Sequence, residues 1–285
     1  MSRLSPASAP RPRILTRDDG ATIAYHRRIG RTAGVVCLHG LGSDMTGAKV
    51  LAIEALCRRQ RRAFVRFDYF GHGSSSGRFT DGTIGRWRDD ALAVIDRLTE
   101  GPIVVVGSSL GGWIATLAAL ACPRIRGLVA TAPAPDFTED LIAKNLTTAQ
   151  RATLKRDGLV LIPNPYGPPH PVTQTFLAES RNHLVLRREH RLTIPVRLIH
   201  GMGDSSVPWQ TSLQLAEALG SPDTEVTLVK AGDHRLSEPR DLARLVATTE
   251  ALLAQVDAAI SPRRKGSRPG PRGRSGSATR RRARS

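Results

Sequence analysis

Residues 103–113, IVVVGSSLGGW, are an apolar run that breaks abruptly into two serines set among three glycines. The four residues Ile103 to Val106 have the length and branching of a strand buried on both faces. WIATLAALAC at 113–122 then follows a helical pattern, so the glycines and serines occupy a strand-to-helix turn. Glycine spacing separates the two serines. Gly107 and Gly111 stand two residues either side of Ser109, whereas centring on Ser108 puts Val106 and Leu110 in those places. In a G-x-S-x-G turn the central serine is held in a strained conformation, and its neighbours must be small enough not to collide. Ser109 is the candidate nucleophile; the bland alternative is a Gly/Ser turn without chemistry.

Working outward, ILTRDDGATIAYHRR predicts a hairpin turning at Asp18-Asp19-Gly20. Short apolar runs bounded by glycine at 34–40, 63–69, 103–108, 127–133, 196–201 and 226–232 read as buried parallel strands. Helical spacing fills most intervals, in TGAKVLAIEALCRRQ, WRDDALAVIDRLTEG, TSLQLAEALG and PRDLARLVATTEALLAQV. The fold class is therefore α/β, a mostly parallel doubly wound sheet. Residues 134–193 break the rhythm, with prolines at 163, 165, 168, 169 and 171, and read as an inserted helical cap. The core is expected over 14–133 and 194–258.

A serine at its ordinary pKa is a poor nucleophile and needs a base and an orienting acid. His234, in KAGDHRLSEP, follows the last expected strand and is the candidate base. His170, His183 and His190 fall in the cap, and His200 ends a strand. Asp204, in the loop LIHGMGDSSVPW, is the candidate acid, its alternative being an Asx turn or helix cap. Asp223 is the weaker rival because it precedes a strand, and Asp233 adjoins His234 too closely in sequence for the Nδ1 contact. An oxyanion needs backbone donors. The N–H of Leu110, after the nucleophile, is one, and that of Leu41, in HGLGSD, is assigned as the other. His39 in that loop reads as structural. RFDYFGHGSSSG at 66–77 lacks both the Walker ending and the dinucleotide register, and reads as a turn lining one side of the pocket. No His/Cys/Asp cluster has zinc spacing, and neither metal nor cofactor is expected.

The 285 residues carry a formal charge of +17, of which ten basic residues and no acid fall in 261–285. Such a tail, 259–285, is expected to be disordered and to hold anionic partners only weakly. Residues 1–13 read as a disordered leader. No stretch reaches the roughly 18 apolar residues of a membrane span. Cys37, Cys57 and Cys122 read as buried free thiols of a reducing compartment.

IAYHR, RFDYFGHGSS, WRDD, GPIVVVGSSLGGW, IPVRLIHGMGDSSVPW and GDHRL together resemble the α/β-hydrolase superfamily from about residue 14 to 256. The resemblance extends to the branch of mitochondrial protein S-depalmitoylases and acyl-glucuronide esterases with their bacterial relatives. It implies Ser109, Asp204 and His234 as a triad that hydrolyses an ester or thioester through an acyl-enzyme. The substrate it implies is a small-molecule ester or an acylated protein. The alternatives are an amidase or peptidase with the same triad, or a non-catalytic scaffold binding nucleic acid through its tail. The arginine-rich tail and the absence of a clear transit sequence favour a bacterial cytoplasmic protein, with mitochondria as the alternative that the resemblance adds. Trp113 reads either as acyl-pocket wall or as core. Oligomeric state is not legible.

Overall fold

A computed structural model describes residues 11–260. An eight-stranded sheet runs in the order β1 (Arg13–Thr16), β2 (Thr22–Arg28), β4 (Arg62–Phe67), β3 (Arg31–Leu38), β5 (Ile103–Ser108), β6 (Ile125–Thr131), β9 (Val196–Gly201), β10 (Thr224–Val229). The expected hairpin is β1–β2, antiparallel and joined antiparallel to β4, while all pairings from β4 to β10 are parallel.

Alternation along the strands divides the core between the two faces. Val36, Leu38, Val65 and Val105 face α2 (Ile84–Leu98) and α3 (Leu110–Ala121) in one cluster. Val35, Cys37, Phe64, Val104 and Val106 face α1 (Ala48–Arg59) and α7 (Pro239–Ile260) in the other. α3 is apolar nearly all round because it is enclosed on nearly every side, and Leu110 through Thr116 are all buried. The α2 N-terminus is fixed by Thr83, whose hydroxyl oxygen accepts the Arg86 N–H at 3.1 Å.

The insertion lies between β6 and β9. It holds α4 (Thr148–Asp157), α5 (Gln174–Ser180) and shorter turns of helix. It also holds a two-stranded antiparallel hairpin, β7 (Leu159–Ile162) and β8 (His170–Thr173), so it is not helical throughout. Pro163, Pro165, Pro168 and Pro169 lie in the loop of that hairpin, where missing N–H groups disturb no ladder, while Pro171 sits within β8 opposite Leu161. Buried Asp136 ties the two ends of the insertion together, its carboxylate accepting the N–H groups of Val185 and Leu186 at 2.8 and 2.9 Å.

The expected leader and tail lie almost wholly outside the described residues. Where they overlap them, Arg13 pairs with Tyr25 in the β1–β2 ladder, and Ile260 ends α7 packed against the core. Cys37 and Cys57 are buried free thiols, with Cys57 pushed up to about 12 by burial. Cys122 is only half-buried, because it stands just past the end of α3. Among the described residues no helix is long and apolar enough to cross a membrane.

Candidate active site

Loops at the carboxyl ends of β3, β5, β9 and β10 converge on one cleft, as parallel α/β sheets direct them to do. Ser109 sits between β5 and α3 at φ 54°, ψ −120°, a region that side chains other than glycine rarely occupy. The flanking glycines are required by close approach. A Cβ on Gly107 would overlap the Gly111 carbonyl oxygen, and one on Gly111 would overlap the Leu38 carbonyl oxygen. The spacing that singled out Ser109 is thus a record of backbone meeting backbone.

The three residues expected from sequence meet in a line. His234 Nε2 stands 3.0 Å from Ser109 Oγ, and His234 Nδ1 stands 2.7 Å from Asp204 Oδ2. The second contact puts the proton on Nδ1 and leaves the Nε2 lone pair for the serine hydroxyl. The Asp204 carboxylate is buried. Its Oδ1 accepts the N–H groups of Ser206 and Val207, both at 2.8 Å, while Oδ2 takes two histidine contacts. Burial works to raise its pKa, but bonds from His200 and His234 and from the backbone outweigh that and hold it well below the usual carboxylate range. The rivals are elsewhere: Asp223 is 2.8 Å from Arg197, and Asp233 accepts the Leu236 N–H at 2.9 Å.

Leu41 and Leu110 both line the cleft. Leu110 opens α3, so its N–H has no acceptor inside the helix and lies at the positive end of the helix dipole. The loop carrying Leu41 runs directly beside the nucleophile, since a Cβ on Gly40 would stand 3.5 Å from Ser109 Cβ.

The cleft, about 630 Å³, has an apolar wall that includes Phe137, Leu141 and Ile142 at the start of the insertion and Ile162 and Val172 from its hairpin. Tyr166, at the hairpin tip, stacks over His234 with ring centroids 6.2 Å apart and 23° between planes. Trp113 belongs to the core and not to the pocket. It is fully buried, edge-on to Phe137, with its indole N–H donated to the His183 carbonyl at 3.0 Å. The 66–77 turn does not line the cleft as expected; it lies behind the Leu41 loop, with His72 Nε2 3.2 Å from the Gly42 nitrogen.

Sequence reasoning passed over His200. Its Nε2 stands 3.1 Å from both Asp204 Oδ2 and the Val207 carbonyl, two acceptors, so it carries the proton. Nδ1, 2.7 Å from Ser212 Oγ, then accepts the hydroxyl proton. Asp204 Oδ2 is thereby shared between His200 and His234. Its four-residue spacing from Asp204 was visible, but a histidine ending a buried strand carries no distinguishing pattern. His200→Phe is expected to lower kcat by about tenfold with KM little changed, since outer partners that orient a site cost about that much when lost. Steady-state kinetics on the purified variant check it.

Residues 35–247 match the model of the Alpha/beta hydrolase family. The chain belongs to that family. This alpha/beta hydrolase is 38% identical over 251 residues to the mitochondrial palmitoyl-protein thioesterase ABHD10 of Mus musculus, with 87% of this chain and 84% of the relative covered. It superposes on the solved structure of alpha/beta hydrolase domain-containing protein 10 from mouse with a TM-score of 0.80 at 37% identity, covering 87% of this chain and all of that one. A bacterial structure from Agrobacterium vitis S4 gives 0.81 at 37% identity, covering 86% of this chain and all of that one. As a member of this family the protein is an enzyme of the hydrolase class.

Proposed function

We propose that this alpha/beta hydrolase cleaves carboxylic esters and thioesters of apolar acyl groups through Ser109, His234 and Asp204. The observation that carries the reading is the Ser109–His234–Asp204 hydrogen-bonded line opening into a cleft with one apolar wall. His234 Nε2 takes the Ser109 proton as Oγ attacks the acyl carbon, forming the tetrahedral intermediate. The Leu41 and Leu110 N–H groups receive its oxyanion. Collapse expels the alcohol or thiol, protonated by His234, and leaves the acyl group on Ser109. Water, deprotonated by His234, then attacks the acyl-enzyme, and the proton returns to Ser109 Oγ as the acid leaves. Asp204 keeps the imidazole in its tautomer and stabilises the imidazolium.

The names of the relatives support an acylated protein as the natural substrate class, with the acyl chain along Phe137, Leu141, Ile142 and Ile162. We retain the bacterial cytoplasmic reading; its support is a bacterial structure as similar as the mouse one, against the mitochondrial naming of the animal relatives.

The test is kcat/KM over p-nitrophenyl esters and acyl-CoA thioesters of increasing chain length. Each methylene buried against the apolar wall is worth about 0.8 kcal/mol. We therefore expect kcat/KM to rise roughly three- to fourfold per methylene until the cleft is filled. A profile flat or falling from acetyl upward would overturn the acyl assignment.

A further inference from the structure

The GHG of RFDYFGHGSS is left unused by the chemistry above, yet it is wired to it. His72 follows β4 and is buried. Its Nδ1 stands 3.2 Å from the Phe70 carbonyl oxygen and therefore carries the proton. Its Nε2 is then a bare lone pair, and it accepts the N–H of Gly42 at 3.2 Å. Phe79 and Trp87 pack against the imidazole with ring centroids 5.1 and 5.2 Å away, and Tyr69 and His39 stand within 6 Å, which leaves the ring one orientation. Burial pushes the His72 pKa down to about 4, which keeps the lone pair free at neutral pH.

Gly42 is the residue after Leu41, at φ 66°. A Cβ there would come 2.6 Å from His170 Cε1 of the cap hairpin, so a side chain would have to displace that ring. The same loop is held further on by buried Asp68, whose Oδ1 accepts the Met45 N–H at 2.7 Å and whose Oδ2 accepts the Ser74 N–H at 2.8 Å. Two buried side chains from the turn after β4 thus take backbone N–H groups from the loop after β3. Gly42 itself is exposed, so without His72 its N–H would be left to water and its peptide would be free to turn.

We propose that His72 is a positioning residue for the oxyanion site, its Nε2 lone pair fixing the Leu41–Gly42 peptide so that the Leu41 N–H stays aimed at the cleft. This rests on the serine-hydrolase reading above. His72 touches no reacting atom; it acts by holding a donor whose value depends on being in place before charge develops.

Asparagine and glutamine distinguish this role from simple filling of space. His72→Gln puts an amide oxygen where Nε2 stands, whereas His72→Asn matches only the Nδ1 end and leaves the Gly42 N–H unpaired. Burst titration with p-nitrophenyl butyrate counts active sites, so kcat is expressed per competent site and partial misfolding drops out. His72→Asn and His72→Phe are expected to lose about tenfold or more in kcat with KM nearly unchanged. His72→Gln is expected to recover most of the loss. A trifluoromethyl ketone, which forms a tetrahedral adduct with an oxyanion, should lose affinity in parallel with kcat/KM.

Wild-type kcat per site in His72→Asn would overturn the proposal while leaving the hydrolase reading intact. So would a kcat loss with unchanged trifluoromethyl ketone affinity, or a glutamine variant as impaired as asparagine. No turnover and no burst in the wild-type enzyme would instead sink the hydrolase reading itself.

Discussion

Ser109→Ala is expected to lower kcat by roughly a million-fold while leaving the protein folded. The size follows from what is lost: with no Oγ there is no acyl-enzyme, and His234 and Asp204 have nothing to activate. What remains is binding and whatever the Leu41 and Leu110 N–H groups contribute to direct attack by water. Ser108→Ala removes a hydroxyl one residue earlier, at the last position of β5, and is expected to keep activity of the wild-type order. A fluorophosphonate probe gives an independent readout, with labelling lost in Ser109→Ala and kept in Ser108→Ala. Turnover surviving in Ser109→Ala would dismiss the mechanism. The backbone adds a further check. Alanine keeps the Cβ that makes φ 54° unfavourable, whereas Ser109→Gly relieves it, so the glycine variant should be equally inactive yet more stable than the alanine variant by about 1 kcal/mol.

Gly111→Ala is expected to destabilise the protein by about 3 kcal/mol and to abolish most activity. The added methyl would overlap the carbonyl oxygens of Leu38 and His39, and these are backbone atoms at the end of β3, with no rotamer to escape into. Relief requires α3 and β3 to separate, which would carry the nucleophile away from the loop that holds Leu41. Thermal unfolding should record a fall in Tm of roughly 6–12 °C, and activity should fall further than the folded fraction. A variant as stable and active as wild type would mean that the turn tolerates a side chain, and the close approach would lose its meaning.

The residues that sequence could identify are those bound by local rules. Gly107 and Gly111 announce Ser109 because strand and helix meet there at a distance no Cβ survives. His234 and Asp204 announce themselves because each follows a buried strand, and a parallel sheet brings all such loops to one edge. The hairpin inside the cap was harder to read, since its strands are only four residues long and its prolines crowd the loop and enter β8 at Pro171. Trp113 was ambiguous because an apolar ring suits either a pocket or a core, and only the Phe137 and His183 contacts separate the two.

By itself, then, the sequence determined the α/β class, the order of the elements outside the insertion, which of two serines is the candidate nucleophile, and the order of its partners along the chain. These depend on periodicity and spacing, which are properties of neighbouring residues. The tertiary structure alone decided what holds the site in place: His200 against Asp204, His72 under the Leu41–Gly42 peptide, Tyr166 over His234. His72 reaches across 30 residues to Gly42 and Tyr166 across 68 to His234. Contacts of that kind leave no period in the chain, because they are made by surfaces that meet only after the sheet has formed.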